Sequence, residues 1–208
     1  MAGRFITLEG GEGTGKSTQI RKLAAALETR GITVLATREP GGAPGAEQIR
    51  KLMVEGEPGR WDPITETLLA YAARADHVAR TIGPALLADT WVISDRFNDS
   101  TFAYQGVGRG VPRETIRRID AAVLDDFAPD LTLILDLDVR IGLERARARS
   151  GAENRFEKFG ADFHEKLRQA FLDIAKRSPD RCRVIDAAGT EDEVAEAIFA
   201  AVSRRFDL

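Results

Sequence analysis

Hydrophobic positions along the chain alternate between two rhythms. Short apolar runs rich in β-branched or bulky residues read as buried strands: Phe5 to Leu8, Thr33 to Thr37, Trp91 to Ile93, Leu131 to Leu135 and Cys182 to Ile185. Between them the apolar positions take helical spacing. Ile20, Leu23, Ala24 and Leu27 follow i, i+3, i+4, i+7, and Gly31 stops that helix. Further helices are predicted from Gly45 to Glu55, from Ile64 toward Asp89 with a bend near Gly83-Pro84, and from Pro112 through Phe127. Three more cover Val139 to Arg149, Asp162 to Lys176 and Glu191 to Arg205. A polar loop is predicted over Asp95 to Gly110.

Strands separated by helices make βαβ units, hence a parallel sheet covered on both faces. Right-handed crossovers bring the loops that follow the strands to one edge, where ligands bind. Those loops are 9–17, 38–45, 95–110, 136–138 and 186–190.

Composition narrows the class. At 208 residues, 43% apolar and 30% charged, the chain reads as one globular domain. Its longest apolar runs are six residues (Leu68 to Ala73 and Ala197 to Val202), against roughly 18 for a membrane span. The first residues, Met-Ala-Gly-Arg, lead into strand-like sequence without the apolar core of a signal peptide. A single cysteine, Cys182, forms no internal disulfide, so a cytoplasmic setting is expected, with no membrane partner. Thirty basic against 33 acidic residues give a charge of −3. That balance argues against a nucleic-acid partner and confines anion binding to local clusters.

One segment carries specific chemistry. Gly10-Gly11-Glu12-Gly13-Thr14-Gly15-Lys16-Ser17, followed by Thr18, fits G-x-x-x-x-G-K-[ST] between a strand and a helix. Glycines let backbone N–H groups turn inward around phosphates, and the helix N-terminus adds its positive end. Lys16 is placed to bridge β- and γ-phosphates, and the Ser17 hydroxyl to ligate Mg²⁺, so the bound group is a nucleoside triphosphate. Two strands end in a carboxylate able to serve the metal, Asp95 and Asp136, and spacing does not choose between them. Asp136 reads equally well as a helix cap. Arg38 and Arg96, each just after a strand, can fork onto a second phosphate. Arg145, Arg147, Arg149 and Arg155 cluster around 145–155. They read either as a solvated basic face or as a flap that brings an arginine onto a transferring phosphate. An Asn-Lys-x-Asp guanine reader is missing, which argues against a GTP switch.

The matching stretches are Phe5 to Thr18, Thr37-Arg38-Glu39-Pro40-Gly41-Gly42, Ala72-Ala73-Arg74, Asp95-Arg96-Phe97 with Ser100, and Ala103-Tyr104-Gln105-Gly106. With them the chain resembles the bacterial thymidylate kinase (dTMP kinase) family over nearly its whole length. The resemblance implies transfer of the ATP γ-phosphoryl group to dTMP, giving dTDP and ADP. It also implies a P-loop NTPase three-layer sandwich, a five-stranded parallel sheet with helices on both faces. The chain would be a single nucleoside monophosphate kinase domain over 1–208, with a mobile Arg-rich flap at about 145–158, and would act as a homodimer. By position, Arg38 and Arg96 would hold the dTMP phosphate, and Arg74 would read the thymine edge with Ser100, Thr101 and Gln105 nearby. Tyr104 would crowd the sugar 2′ position, and Glu12 would approach the 3′-hydroxyl or the Mg²⁺ water shell. Asp95 would serve the metal and the lysine. Arg149 would meet the transferring phosphate, with Arg145 and Arg155 as alternatives. One position departs. Where the family places a phenylalanine four residues before the Ala-x-Arg arginine, this chain has Ala70, with Tyr71 beside it. Either the helix is rotated or shifted, or another ring such as Phe97 or Phe102 covers the base, or the thymine is held more loosely, chiefly through Arg74. The last is the expectation, because Arg74 keeps its place.

Overall fold

A computed structural model describes residues 2–148 and 155–208. Five parallel strands form one sheet: β1 (Phe5–Glu9), β2 (Val34–Arg38), β3 (Trp91–Asp95), β4 (Leu131–Asp136) and β5 (Cys182–Asp186), in the order β2-β3-β1-β4-β5. β1 is central, with Leu8 level with Asp95 on one side and Leu133 on the other. The order reverses around β1, so the crevice at its C-terminal end is where such a sheet receives ligands.

The two-residue period of the strands sorts their side chains between two layers. Ile6, Leu8, Ile93, Leu131, Leu133 and Leu135 join Ile20, Leu23 and Leu27 of α1 (Lys16–Glu28) and Ile198 and Val202 of α9 (Glu191–Phe206). Phe5, Val92 and Ile134 face the other way, toward the remaining helices. Burying each such side chain contributes about 1.5–3 kcal/mol, which makes this double-sided core the main stabilising feature.

The remaining helices are α2 (Pro44–Val54), α3 (Pro63–His77), α4 (Gly83–Leu87), α5 (Asn98–Thr101), α6 (Arg113–Leu124), α7 (Val139–Arg147) and α8 (Ala161–Arg177), of which α3, α4, α6 and α8 bring side chains to the clusters of the second face. The bend expected near Gly83-Pro84 is a π-helical turn at Val78–Ile82, one turn earlier. Pro84 has no N–H and its ring would meet the carbonyl of residue 80, so the register widens before it. The helix expected to reach Phe127 stops at Leu124, where Asp125 takes a positive φ of 53°.

The largest departure concerns Asp95 to Gly110. It is not a polar loop. After Asp95 the chain forms α5 and then a π-helix over Phe102–Gly108. Gly106, Gly108 and the polar Asn-Asp-Ser-Thr run concealed a helix that tertiary packing holds. Ala103 and Tyr104 pack against Leu167 and Phe171 of α8, and Phe102 joins the neighbouring cluster with Ile116.

Candidate active site

The turn between β1 and α1 forms the cradle. Gly10, Gly13 and Gly15 have φ of 129°, 70° and 90°, the left-handed region that favours glycine. At Gly13 there is a second reason. A Cβ there would lie 1.8 Å from the carbonyl oxygen of Gly142, so the cradle rests directly on the backbone of α7. Lys16 Nζ donates to the Gly11 carbonyl at 2.8 Å and the Gly10 carbonyl at 3.3 Å. Burial pushes the ammonium down to about 8, and the neighbouring Arg96 acts in the same direction against Asp95, Glu12 and Glu9.

Ser17 Oγ donates to Asp95 Oδ2 at 2.9 Å. The other strand-end carboxylate, Asp136, is taken by Arg168, which forks onto it at 2.6 and 3.0 Å. Asp95 thus stands at the cradle mouth with Ser17, and Asp136 forms an ion pair with Arg168.

Beyond the cradle a cleft of about 240 Å³ runs from Glu12 to Ser17 past Arg38, Arg96 and Tyr104 to Arg74 and Gln105. Arg96 has a positive φ of 71°, uncommon for a side chain of that size. The strained turn is held through its guanidinium, which donates to the Gly10 carbonyl at 2.8 Å, Ser100 Oγ at 3.2 Å and Glu12 Oε1 at 3.0 Å. The Tyr104 hydroxyl donates to the same Glu12 oxygen at 2.6 Å, and Arg96 lies 4.9 Å from the Tyr104 ring centre. Burial opposes the Glu12 charge, but Arg96, Lys16 and the Tyr104 hydroxyl outweigh it and hold the carboxyl down at about 2.

Arg74 is buried. Its Nε donates to Glu39 Oε2 at 2.7 Å, one terminal nitrogen to Asn98 Oδ1 at 3.2 Å and the other to the Phe97 carbonyl at 3.1 Å. Three of its five N–H groups are thus committed to the protein, leaving two for a ligand edge. Arg38 pairs with Glu47 at 3.0 Å on the exposed rim. Ser100 Oγ donates to Glu9 Oε2 at 2.6 Å, Gln105 Nε2 donates to Glu66 Oε1 at 2.9 Å, and Thr101 lies buried between them along the cleft.

Most of the residues named from sequence line this cleft; Gly10 and Gly11 border an adjoining pocket, Thr18 lines neither, and none of the described flap arginines borders the cleft. Arg145 and Arg147 are exposed at the end of α7, and Arg149 lies outside the described residues. Arg155, an alternative for contact with the phosphate, is fully buried and paired with Glu66. Its charge is spent inside the fold, so that alternative is withdrawn. Tyr71 also turns away from the cleft. It is buried, and its hydroxyl donates to Asn98 Oδ1 at 2.8 Å. Ala70 lines the cleft beside Met53 and Val54.

Sequence reasoning missed Glu9. It is buried at the end of β1, accepts from the Phe97 amide at 2.8 Å and from Ser100, and so holds the turn after β3. Burial raises its carboxyl to about 7, and the nearby Asp99 adds to the rise. The signal was an acidic residue closing a central strand whose other residues are apolar apart from Thr7.

Comparison with known proteins agrees with this geometry. The family model for thymidylate kinase matches residues 8–198. The chain belongs to the thymidylate kinase family. It is 54% identical to a thymidylate kinase of Caulobacter vibrioides over 206 residues, 99% of each chain. A thymidylate kinase of Magnetococcus marinus is 48% identical, covering 99% of this chain and 98% of its own. The crystal structure of thymidylate kinase from Ehrlichia chaffeensis superposes with a TM-score of 0.78 at 35% identity, covering 97% and 99% of the two chains. Family membership makes the chain an ATP-dependent phosphotransferase acting on dTMP.

Proposed function

We propose that the cleft carries out the family reaction with its roles divided along its length. The observation that supports this division is the shared cleft itself. A phosphate cradle, a hydroxyl–carboxylate pair and four arginines, Arg38, Arg50, Arg74 and Arg96, border one continuous cavity. Phosphoryl transfer requires little covalent help from protein and much positioning and charge stabilisation, which is what such a set supplies.

Backbone amides of Gly10 to Thr18 and the Lys16 ammonium hold the ATP phosphates. Arg38 and Arg96 hold the dTMP phosphate facing them. Arg74 offers its two remaining donors to the base edge, and Tyr104 fills the space that a 2′-hydroxyl would occupy. Ser17 and Asp95 fit Mg²⁺: both present oxygen donors, one of them anionic, at the mouth of the cradle. When bound there, the ion would neutralise charge on the phosphates.

Arg149 is proposed to meet charge that develops only during transfer. Arg149→Ala is accordingly expected to lower kcat for dTDP formation while changing the KM for dTMP little. A defect confined to the KM would move this arginine to the acceptor site.

A homodimer in the cytoplasm completes the proposal. Ile64 and Leu68, one turn apart on α3, stay 40% and 52% exposed, an apolar strip suited to a second copy. The lone Cys182 is buried, and burial raises its thiol to about 11, which suits a protein with no disulfide to form. Among the described residues, no helix is long and apolar enough to cross a membrane.

A further inference from the structure

The two ends of the cleft differ in character. The cradle end is charged. At the other end Met53, Val54, Ala70 and Phe156 give apolar walls, with Thr101 and Gln105 among the polar groups between them. That mixture suits a flat, partly polar heterocycle. Three rings border the cleft, and two are already occupied. Phe97 is 1% exposed and packs edge-on against Phe5 at 4.9 Å. Tyr104 is 5% exposed, its hydroxyl given to Glu12 and its ring covered by Arg96. Phe156 is the most exposed of the three, half-buried, with Tyr104 edge-on at 5.2 Å and 86° and the Arg155 guanidinium 5.0 Å from its ring centre.

We infer that Phe156 is the aromatic wall of the acceptor-base site, held in place by its buried neighbour Arg155. The inference rests on the reading of the cleft as a dTMP site and adds to it a specificity-determining ring and its anchor.

The anchor is unusually complete. The Arg155 amide donates to the Val54 carbonyl at 3.1 Å, joining this segment to the apolar wall. Its guanidinium donates to the carbonyls of Met53 at 2.9 Å, Glu57 at 3.0 Å and Pro58 at 2.8 Å, and to the Glu66 carboxylate. Four of the five N–H groups are used, so the side chain has little freedom to swing. The second Glu66 oxygen accepts from Gln105 on the cleft wall. Glu66 therefore ties two parts of the cleft lining together, Phe156 through Arg155 and the 102–108 helix through Gln105. Phe159 stacks behind Phe156 at 6.2 Å and 18°, and Phe163 on Phe159 at 4.2 Å and 20°, which backs the ring with a row from the start of α8.

Two binding measurements test this, with dTMP as the probe. By titration calorimetry, Phe156→Ala should bind dTMP about tenfold more weakly, near the upper end of what an aromatic contact contributes. ATP affinity should stay within about twofold, since the ring contacts of Phe156 are with Tyr104, Phe159 and Arg155 and not with the cradle glycines or Lys16. Phe156→Tyr, which keeps the ring, should bind dTMP nearly as the parent does. Glu66→Gln keeps an acceptor for Gln105 but leaves Arg155 without its counter-charge, and should weaken dTMP in the same direction as Phe156→Ala. In the second measurement, the indole of Phe156→Trp should be quenched by dTMP and not by 2-deoxyribose 5-phosphate, which has the sugar and phosphate without the base. The parent, with Trp61 and Trp91, supplies the background. Unaltered dTMP affinity in Phe156→Ala, equal losses for dTMP and ATP, or equal quenching by the base-free sugar phosphate would each overturn the assignment. A parent chain that fails to bind dTMP at all would instead sink the reading of the cleft on which the inference rests.

Discussion

Lys16→Ala is expected to fold as the parent does and to lose phosphoryl transfer by at least about 10²–10³-fold in kcat, the scale for removing one preorganised donor from developing charge. The fold should survive. The ammonium's partners are the Gly10 and Gly11 carbonyls and the Thr14 hydroxyl, all within the cradle turn, and no distant element depends on it. The chemistry should not survive, because the variant has no cation at the point where the cradle turn enters α1. Circular dichroism with a thermal melt separates the two effects. A folded variant turning over at the parent rate would remove the cradle assignment.

The second large effect concerns stability. Glu66→Ala leaves the Arg155 guanidinium fully buried without its counter-charge and removes the acceptor of Gln105. Breaking one side of a buried ion pair costs about 3–5 kcal/mol, which for a chain of this size lowers the melting midpoint by roughly 6–20 °C. The pair is not itself a large net stabiliser, because desolvation offsets much of its attraction. The double variant Glu66→Leu, Arg155→Met should therefore recover a good part of the loss. A single variant melting within about 2 °C of the parent would show that the pair is solvated or replaceable, and the anchoring of residues 155–158 would have to be sought elsewhere.

How much of this was legible in the sequence depended on distance along the chain. The cradle was, because its glycines, lysine and serine lie within eight residues between a strand and a helix. The three central strands were, because β1, β3 and β4 are mostly apolar runs buried on both faces, while the edge strands β2 and β5 were marked by their β-branched and bulky residues. The different pairing of Asp95 and Asp136 was not, because the partner of Asp136 is Arg168, 32 residues further on. Arg155 read as one more basic residue in a basic stretch, since its partner Glu66 is 89 residues away. The 98–108 helices were missed for a local reason. Polar residues and glycines give that segment weak helical propensity, and its stability comes from packing against α8 and the α6 side. Ala70 shows a mixed case. The sequence marks the place where a ring is missing, and α-helical geometry rightly keeps Tyr71 from filling it, but only the folded chain brings Phe156 to the same end of the cleft.

The central claim is that one cleft passes the γ-phosphoryl group from ATP to dTMP. It is tested most directly by phosphorus NMR of the purified chain with ATP, Mg²⁺ and one acceptor at a time: dTMP, its 2′-hydroxyl counterpart, and the deoxy monophosphates of adenine, guanine and cytosine. The account predicts dTDP and ADP appearing in equal amounts with dTMP, and slower transfer to the 2′-hydroxyl form by a factor on the order of 10–200. The purine and cytosine acceptors should give little product. ADP accompanied by inorganic phosphate instead of dTDP, or a faster reaction with another acceptor, would contradict it.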